Sequence, residues 1–158
     1  MMFDDNVNYT LLVNNANKEF MEQFKEYSII GSNMFFDELK EKLEMFPSKR
    51  VVFNESWFNL SGNEKKSIIE LLKKQNVNFV NITSNIEDSL LSNYVIVYDE
   101  DKKVLEGNTE VVLRNEKILK KLGYGLPFVV DLSIQLTYYD ILDKVYYNMD
   151  KLTEDLWN

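Results

Sequence analysis

The stretch VVFNESWFNL, residues 51–60, runs strand-forming residues into Asn54 and Glu55. A buried strand that ends in a carboxylate is a common setting for phosphate chemistry, where the acid polarises the attacking water. Few other reactive groups accompany it. The chain has no Cys and no His, which removes thiol nucleophiles, disulfides, zinc fingers and imidazole acid-base catalysis together. Any chemistry is left to carboxylates, lysines, tyrosines and hydroxyls. A general base acts only on a group within hydrogen-bonding reach, so Glu55 is catalytic if a substrate is held beside it and is otherwise a carboxylate at a strand end.

The elements that must position Glu55 follow from periodicity. NYTLLV predicts a strand at 8–13, and the next segment places Phe20, Phe24 and Tyr27 at helical spacing. Phe36, Leu39, Leu43 and Phe46 form one stripe of a second helix that Pro47 terminates, leading into a strand at 51–54. Ser61 and Glu64 make a capping-box pattern before a helix whose buried stripe is Ile68, Leu71 and Leu72 and which ends near Gln75. VNFVNI at 77–82 is the next strand, followed by a short helix at 87–91 and the strand YVIVYD. DEDK then turns the chain into an antiparallel partner, KVLEG. Two short helices follow, the second ending in Lys120, Lys121 and Gly123, and the last thirty residues read as helical. Strands separated by single helices predict an α/β fold with a mostly parallel sheet covered on both faces.

A length of 158 residues suits one compact unit. With 45% hydrophobic and 13% aromatic residues the chain has enough apolar surface for a core. The net charge of -8 opposes a nucleic acid or an anionic bilayer as a general partner. The segment MMFDDNVNYT has no basic region or apolar core of signal-peptide length, and no apolar run reaches the roughly 20 residues of a spanning helix, which predicts a cytoplasmic protein without membrane insertion.

From SIIGSNMFFDELKEKLEMFPSKRVVFNES onward the chain resembles the ATPase subunits of ABC transporters, most closely those of the energy-coupling factor type that serve vitamin and metal-ion uptake. The order of motifs carries the resemblance. Gly31 aligns with the first glycine of the signature sequence, with Ser32 beside it, and VVFNE aligns with the Walker B strand. VNFVNITSN aligns with the strand before the switch residue, and LSNYVIVYDEDKKVLEGNTEVV with the following strand and hairpin. EKILKKLGYGLPFVVDLSIQL and DKVYYNMDKLTEDLW suit the terminal segment.

The resemblance implies a compact P-loop-NTPase-like core over 1–125, lacking the family's helical subdomain, with a C-terminal helical extension over 126–158 as part of the same unit. It also implies the strand order 94–98, 9–13, 78–82, 51–54, with a peripheral hairpin.

The same alignment exposes losses at the ATP site. Where the family has a glycine-rich phosphate loop, this chain has NNANKEF, with no glycine. Lys18 stands where the phosphate-binding lysine would be, and Glu19 replaces the magnesium-binding hydroxyl. Asn54 replaces the Walker B aspartate, removing an anionic partner of magnesium. Ser84 replaces the switch histidine, while Glu55 keeps the place of the water-polarising glutamate.

Lys18, Asn54 and Ser84 are thus vestigial nucleotide contacts and Glu55 is the one catalytic candidate; no resident metal or cofactor is expected, and ATP with magnesium only if nucleotide binding persists. Trp57 and Phe58 are expected to fill the vacated site with core, the alternative being that they block a nucleotide, or, if exposed beside the C-terminal aromatics, to anchor a protein partner. Tyr138, Tyr139, Tyr146 and Tyr147 belong to a segment that either docks on the domain or forms a dimer surface. EKK at 64–66 reads as a solvated helix face.

The expected function is that of a non-hydrolysing ATPase homologue that binds a complete ATPase subunit, or a second copy of itself, as a regulator or assembly partner at the inner face of the cell membrane. The alternatives are weak ATP binding or hydrolysis through Lys18 and Glu55, or a shortened relic with a role unrelated to transport.

Overall fold

The computed structural model describes residues 3–31 and 34–157. In chain order these form β1 (Tyr9–Leu12), α1 (Lys18–Met21), β2 (Ser28–Ile30), α2 (Phe36–Glu44), β3 (Arg50–Asn54), α3 (Gly62–Lys74), β4 (Asn78–Thr83), β5 (Tyr94–Asp99), β6 (Lys102–Asn108), α4 (Thr109–Leu113), α5 (Glu116–Lys121), α6 (Phe128–Tyr138) and α7 (Met149–Trp157). Turns of 3-10 helix span Glu22–Phe24 and Ile86–Leu91.

One sheet contains all six strands in the order β2-β3-β4-β1-β5-β6. Every pairing is parallel except β5 with β6, which form the hairpin. The expected central order is therefore present as β5-β1-β4-β3.

Three segments differ from the sequence reading. The segment before Gly31 forms a strand that the sequence reading did not include: Ser28–Ile30 is an edge strand beside β3, and α2 starts at Phe36. Three residues are too few to show alternation. The buried Ser56 fixes this edge by directing its hydroxyl at the carbonyls of Ile30 (2.5 Å) and Gly31 (2.9 Å). Ser32 lies outside the described residues. The helix expected after β1 is one α-turn continued by a 3-10 turn, because the chain must cross β4 and β3, about 14 Å of sheet, before it enters β2 at Ser28. The C-terminal segment is helical in α6 and α7, with an irregular stretch at 139–148 between them.

Alternation along the strands sorts the core. On one face Tyr9, Leu11, Val52, Val80, Ile82 and Ile96 pack under Phe20 and Phe24. The other face holds two apolar clusters. Val51, Phe53 and Phe79 meet Leu39 and Leu43 of α2 and Ile68 and Leu72 of α3. Leu12, Val95 and Val97 meet Val112, Leu119, Val129, Val130 and Leu152 from the later helices. Each fully buried Leu, Ile or Phe side chain contributes about 1.5–3 kcal/mol by leaving water.

A buried polar seam runs between these two clusters. Thr10, Asn81 and Thr83 point into it, and the turn at 86–91 supplies Asp88 and Ser89. Lys65 of α3 reaches Asp88 at 2.7 Å, so its ammonium group is buried in an ion pair and not solvated as the sequence reading expected. Thr83 and Asn81 donate to the other carboxylate oxygen of Asp88, at 3.2 and 3.4 Å.

The capping box at α3 is formed in both directions: Glu64 N–H donates to Ser61 Oγ at 3.2 Å, and Ser61 N–H donates to Glu64 Oε1 at 2.9 Å. Ser61→Ala is expected to lower stability by about 1 kcal/mol, measured by urea denaturation.

Candidate functional site

β1, β3 and β4 end together along one edge of the sheet, and the residues aligned with ATP-site motifs lie there. Asn54 closes β3 opposite Ile82, and Glu55 is the next residue. Glu55 adopts a left-handed backbone (φ 55°), a conformation few non-glycine residues take. Its N–H donates to the Ile82 carbonyl at 2.9 Å, so the chain stays tied to β4 as it turns away. That turn aims the side chain across β4, where Oε1 accepts the Ser84 N–H at 3.0 Å.

Glu55 and Ser84 are therefore brought together, with the carboxylate occupied by the chain's own backbone. Burial raises the Glu55 pKa above the ordinary carboxylate value, the hydrogen bonds from Ser84 and Thr83 oppose that shift, and the Asp88 charge adds to it.

Lys18 is not brought to this pair. It lies exposed on α1, and among the described residues no hydrogen bond or ion pair joins it to Glu55. The α1 N-terminus is closed locally, because Asn17 Oδ1 accepts the Phe20 N–H at 2.8 Å. A cradle for a triphosphate needs successive free backbone N–H groups at the start of a sustained helix. Here the loop lacks glycine and α1 is a single turn. The residues present do not fit a magnesium-bound nucleotide.

A residue not anticipated from the sequence closes the end of β1. Tyr124 follows α5 between Gly123 (φ 89°) and Gly125 (φ 72°), whose left-handed backbones turn the phenol inward. Its buried hydroxyl sits between the carbonyls of Leu12 (2.9 Å) and Tyr98 (3.0 Å), and the Asn14 backbone amide lies against it. Asn14 in turn donates from Nδ2 to the Leu122 carbonyl at 3.3 Å, joining the two loops. Burial pushes the Tyr124 pKa up to about 12, so the phenol stays a neutral donor. The GYG tripeptide was the available signal in the sequence, but its partners are 112 and 26 residues away.

Trp57 and Phe58 separate. Trp57 is 1% exposed and packs on Phe53 and Phe79, with ring centroids 5.3 and 5.2 Å away, whereas Phe58 is 84% exposed. One residue fills core under α2 and α3, and its neighbour faces solvent. Among the described residues no helix is long and apolar enough to cross a membrane.

Two substitutions check this description. Because burial holds the folded-state pKa of Glu55 above its unfolded value, the folded protein binds the extra proton between the two, and ionisation costs stability as pH rises through that window. Glu55→Gln keeps an oxygen acceptor for Ser84 and cannot ionise. It is expected to be more stable than the parent at neutral pH, with the advantage vanishing below the ordinary Glu value of about 4.3, measured by urea denaturation across pH. Tyr124→Phe removes the donor to Leu12 and Tyr98 and is expected to cost about 1–3 kcal/mol in the same assay.

Comparison with known proteins gives a consistent relationship. The EcfA1 energy-coupling factor transporter ATP-binding protein of Clostridioides difficile is 28% identical over 89 residues, which is 54% of this chain and 32% of that protein. The EcfA1 protein of Caldanaerobacter subterraneus is 31% identical over 90 residues, again 54% and 32% of the two chains. That of Lactobacillus delbrueckii is 27% identical over 113 residues, 68% of this chain and 40% of the relative. The chain thus spans about a third of the length of the first two relatives and two fifths of the third. No family model matches it. Among solved structures, CbiO1 of Clostridium perfringens, part of the ABC transporter complex CbiONQ, superposes with a TM-score of 0.50 at 12% identity, over 77% of this chain and 85% of that one. The mostly parallel sheet with its covering helices is the ABC ATPase fold of the P-loop NTPase class, and with the sequence matches it identifies this chain as a relative, over part of their length, of the ATP-binding subunits of energy-coupling factor transporters.

Proposed function

We propose that the chain is a non-hydrolysing protein partner of an energy-coupling factor type transporter, acting by binding another protein at the cytoplasmic side of the membrane. The observation that carries this reading is the sealed end of β1. In the relatives this place is expected to present a phosphate loop, whereas here the Tyr124 hydroxyl covers the Leu12 carbonyl and Asn17 caps the single turn of α1. Asn54 supplies no charge for magnesium, and the Glu55 carboxylate already holds the Ser84 N–H. Of the vestigial contacts, Asn54 and Ser84, with the catalytic candidate Glu55, therefore serve the scaffold in this reading, while Lys18 is a surface lysine.

Binding to a protein is supported by the surface of the C-terminal segment, proposed here as an extension of a core spanning 1–125. Val129, Val130, Leu142 and Leu152 dock inward, but Tyr138 and Tyr139 are each 77% exposed and Trp157 83%. Exposed aromatic residues are the side-chain types enriched where protein interfaces gain most of their energy. The partner in this reading is a complete ATP-binding subunit of the same transporter type, with a second copy of the chain as the competing occupant.

Co-expression with a complete ATP-binding subunit is expected to give a co-purifying complex with an altered ATPase rate, and the chain alone is expected to show no turnover. The reading fails if no complex forms and the rate is unchanged. Calorimetric heat on titrating millimolar magnesium-ATP into the isolated chain, lost in Lys18→Gln, would instead establish weak nucleotide binding.

A further inference from the structure

α3, α6 and α7 begin around one cavity of about 310 Å³, which is lined by the first residue of each helix, Gly62, Phe128 and Met149. Small-molecule sites commonly enclose roughly 300–1,000 Å³, so the space suits a ligand at the small end of that range. Leu90 and Leu91 from the turn at 86–91 and Val129 of α6 extend the apolar lining that Phe128 and Met149 begin. The rest of the lining is largely charged. Lys65 and Asp88, the ion pair of the polar seam, reach this cavity together with Lys66 and Glu87.

These charges balance, two lysines against two acids. Helix starts attract anions, but here each is answered from within the chain. Ser61 N–H donates to Glu64 Oε1 at α3, Glu87 Oε1 accepts the Phe128 N–H at 2.6 Å at α6, and Asn148 Oδ1 accepts the Lys151 N–H at 3.1 Å at α7. An anion would find no surplus of positive charge, and a cation would find both acids engaged.

What remains is donor capacity. An ammonium group has three N–H bonds, and the bond from Lys65 Nζ to Asp88 Oδ1 at 2.7 Å is its one hydrogen bond among the described residues. The Lys65 side chain is only 12% exposed. Donors withdrawn from water cost free energy until an acceptor reaches them. Because Asp88 already neutralises the ammonium, a neutral carbonyl oxygen suits the N–H groups left over, whereas a carboxylate would bring a second negative charge to a paired lysine.

We propose that this cavity binds a small uncharged amide bearing one aromatic or branched apolar group, its carbonyl oxygen accepting from Lys65 Nζ and its apolar group packed among Leu90, Phe128, Val129 and Met149. The assignment goes beyond the protein partner proposed above, since Tyr138, Tyr139 and Trp157 do not line the cavity.

The test is titration of the full chain with phenylacetamide, with toluene, acetamide and phenylacetate as controls, read by amide shifts of Gly62, Leu90 and Met149 and by the nitrogen shift of the Lys65 ammonium group. Phenylacetamide is expected to bind most tightly. Toluene, which has no acceptor, and phenylacetate, which adds a charge to a balanced site, are expected to bind about tenfold more weakly. Acetamide is expected to cause no shifts in the same range, because it has little apolar surface to bury. The Lys65 resonance moves with phenylacetamide and not with toluene. Phe128 is 62% exposed, so Phe128→Ala keeps the fold and is expected to bind phenylacetamide about fivefold more weakly. Absence of shifts at millimolar phenylacetamide, equal or tighter binding of toluene, acetamide or phenylacetate, an unmoved Lys65 resonance, or unchanged affinity in Phe128→Ala would each overturn the assignment.

Discussion

A carboxylate without access to water needs every bond it makes, and the middle of this molecule is arranged around that condition at Asp88. Its oxygens meet Lys65 from α3 and Thr83 and Asn81 from β4, which ties a helix, a strand and the turn at 86–91 into one unit. Breaking a buried pair by removing one member typically costs about 3–5 kcal/mol, since the other charge is left unpaired. The seam also fixes which helices cover which strands. Apolar contacts alone do not specify register well, whereas a charge with defined partners accepts one placement. Burial raises the Glu55 pKa at the neighbouring edge, and the Asp88 charge adds a smaller contribution in the same direction.

Both ends of the sheet can be understood from what covers the strand termini. At the end where an ABC ATPase holds phosphate, internal groups take the available bonds: Tyr124 meets Leu12 and Tyr98, Asn17 meets Phe20, and Glu55 meets Ser84. At the other end Arg50 gathers carbonyls from the segment before β1 and from β4, its guanidinium lies over the rings of Phe3 and Tyr9, and the Asp4 and Asp5 charges favour its charged form. The apolar strands and amphipathic helices carry the fold whatever residues stand at these ends.

How far the sequence foretells this structure depends on the range of the interaction. β1, β3, β4 and β5 were legible because each concentrates aromatic, β-branched or leucine residues in a short span, and the Ser61 and Glu64 cap because both partners lie three residues apart. β2 was not, since an edge strand of three residues carries no periodic signal. Lys65 looks like any exposed helical lysine until Asp88, 23 residues on, folds against it. Within the candidate site the adjacency of Glu55 and Ser84 followed from aligned motifs, but the Tyr124 seal joins segments more than 100 residues apart. Arg50 gave no sign either, because a basic residue at a strand start is normally solvated.

The two outer strands leave this sheet little room to grow. On one side β2 offers three residues, and on the other β6 begins with two exposed lysines in the outermost position. A foreign strand seeking to extend the ladder would find a template too short to hold it or a border of ammonium groups, the devices by which natural sheets avoid edge-to-edge aggregation. Self-association by backbone pairing is thereby discouraged without any cap, and the chain can keep aromatic side chains exposed on its helices while its strands stay inert.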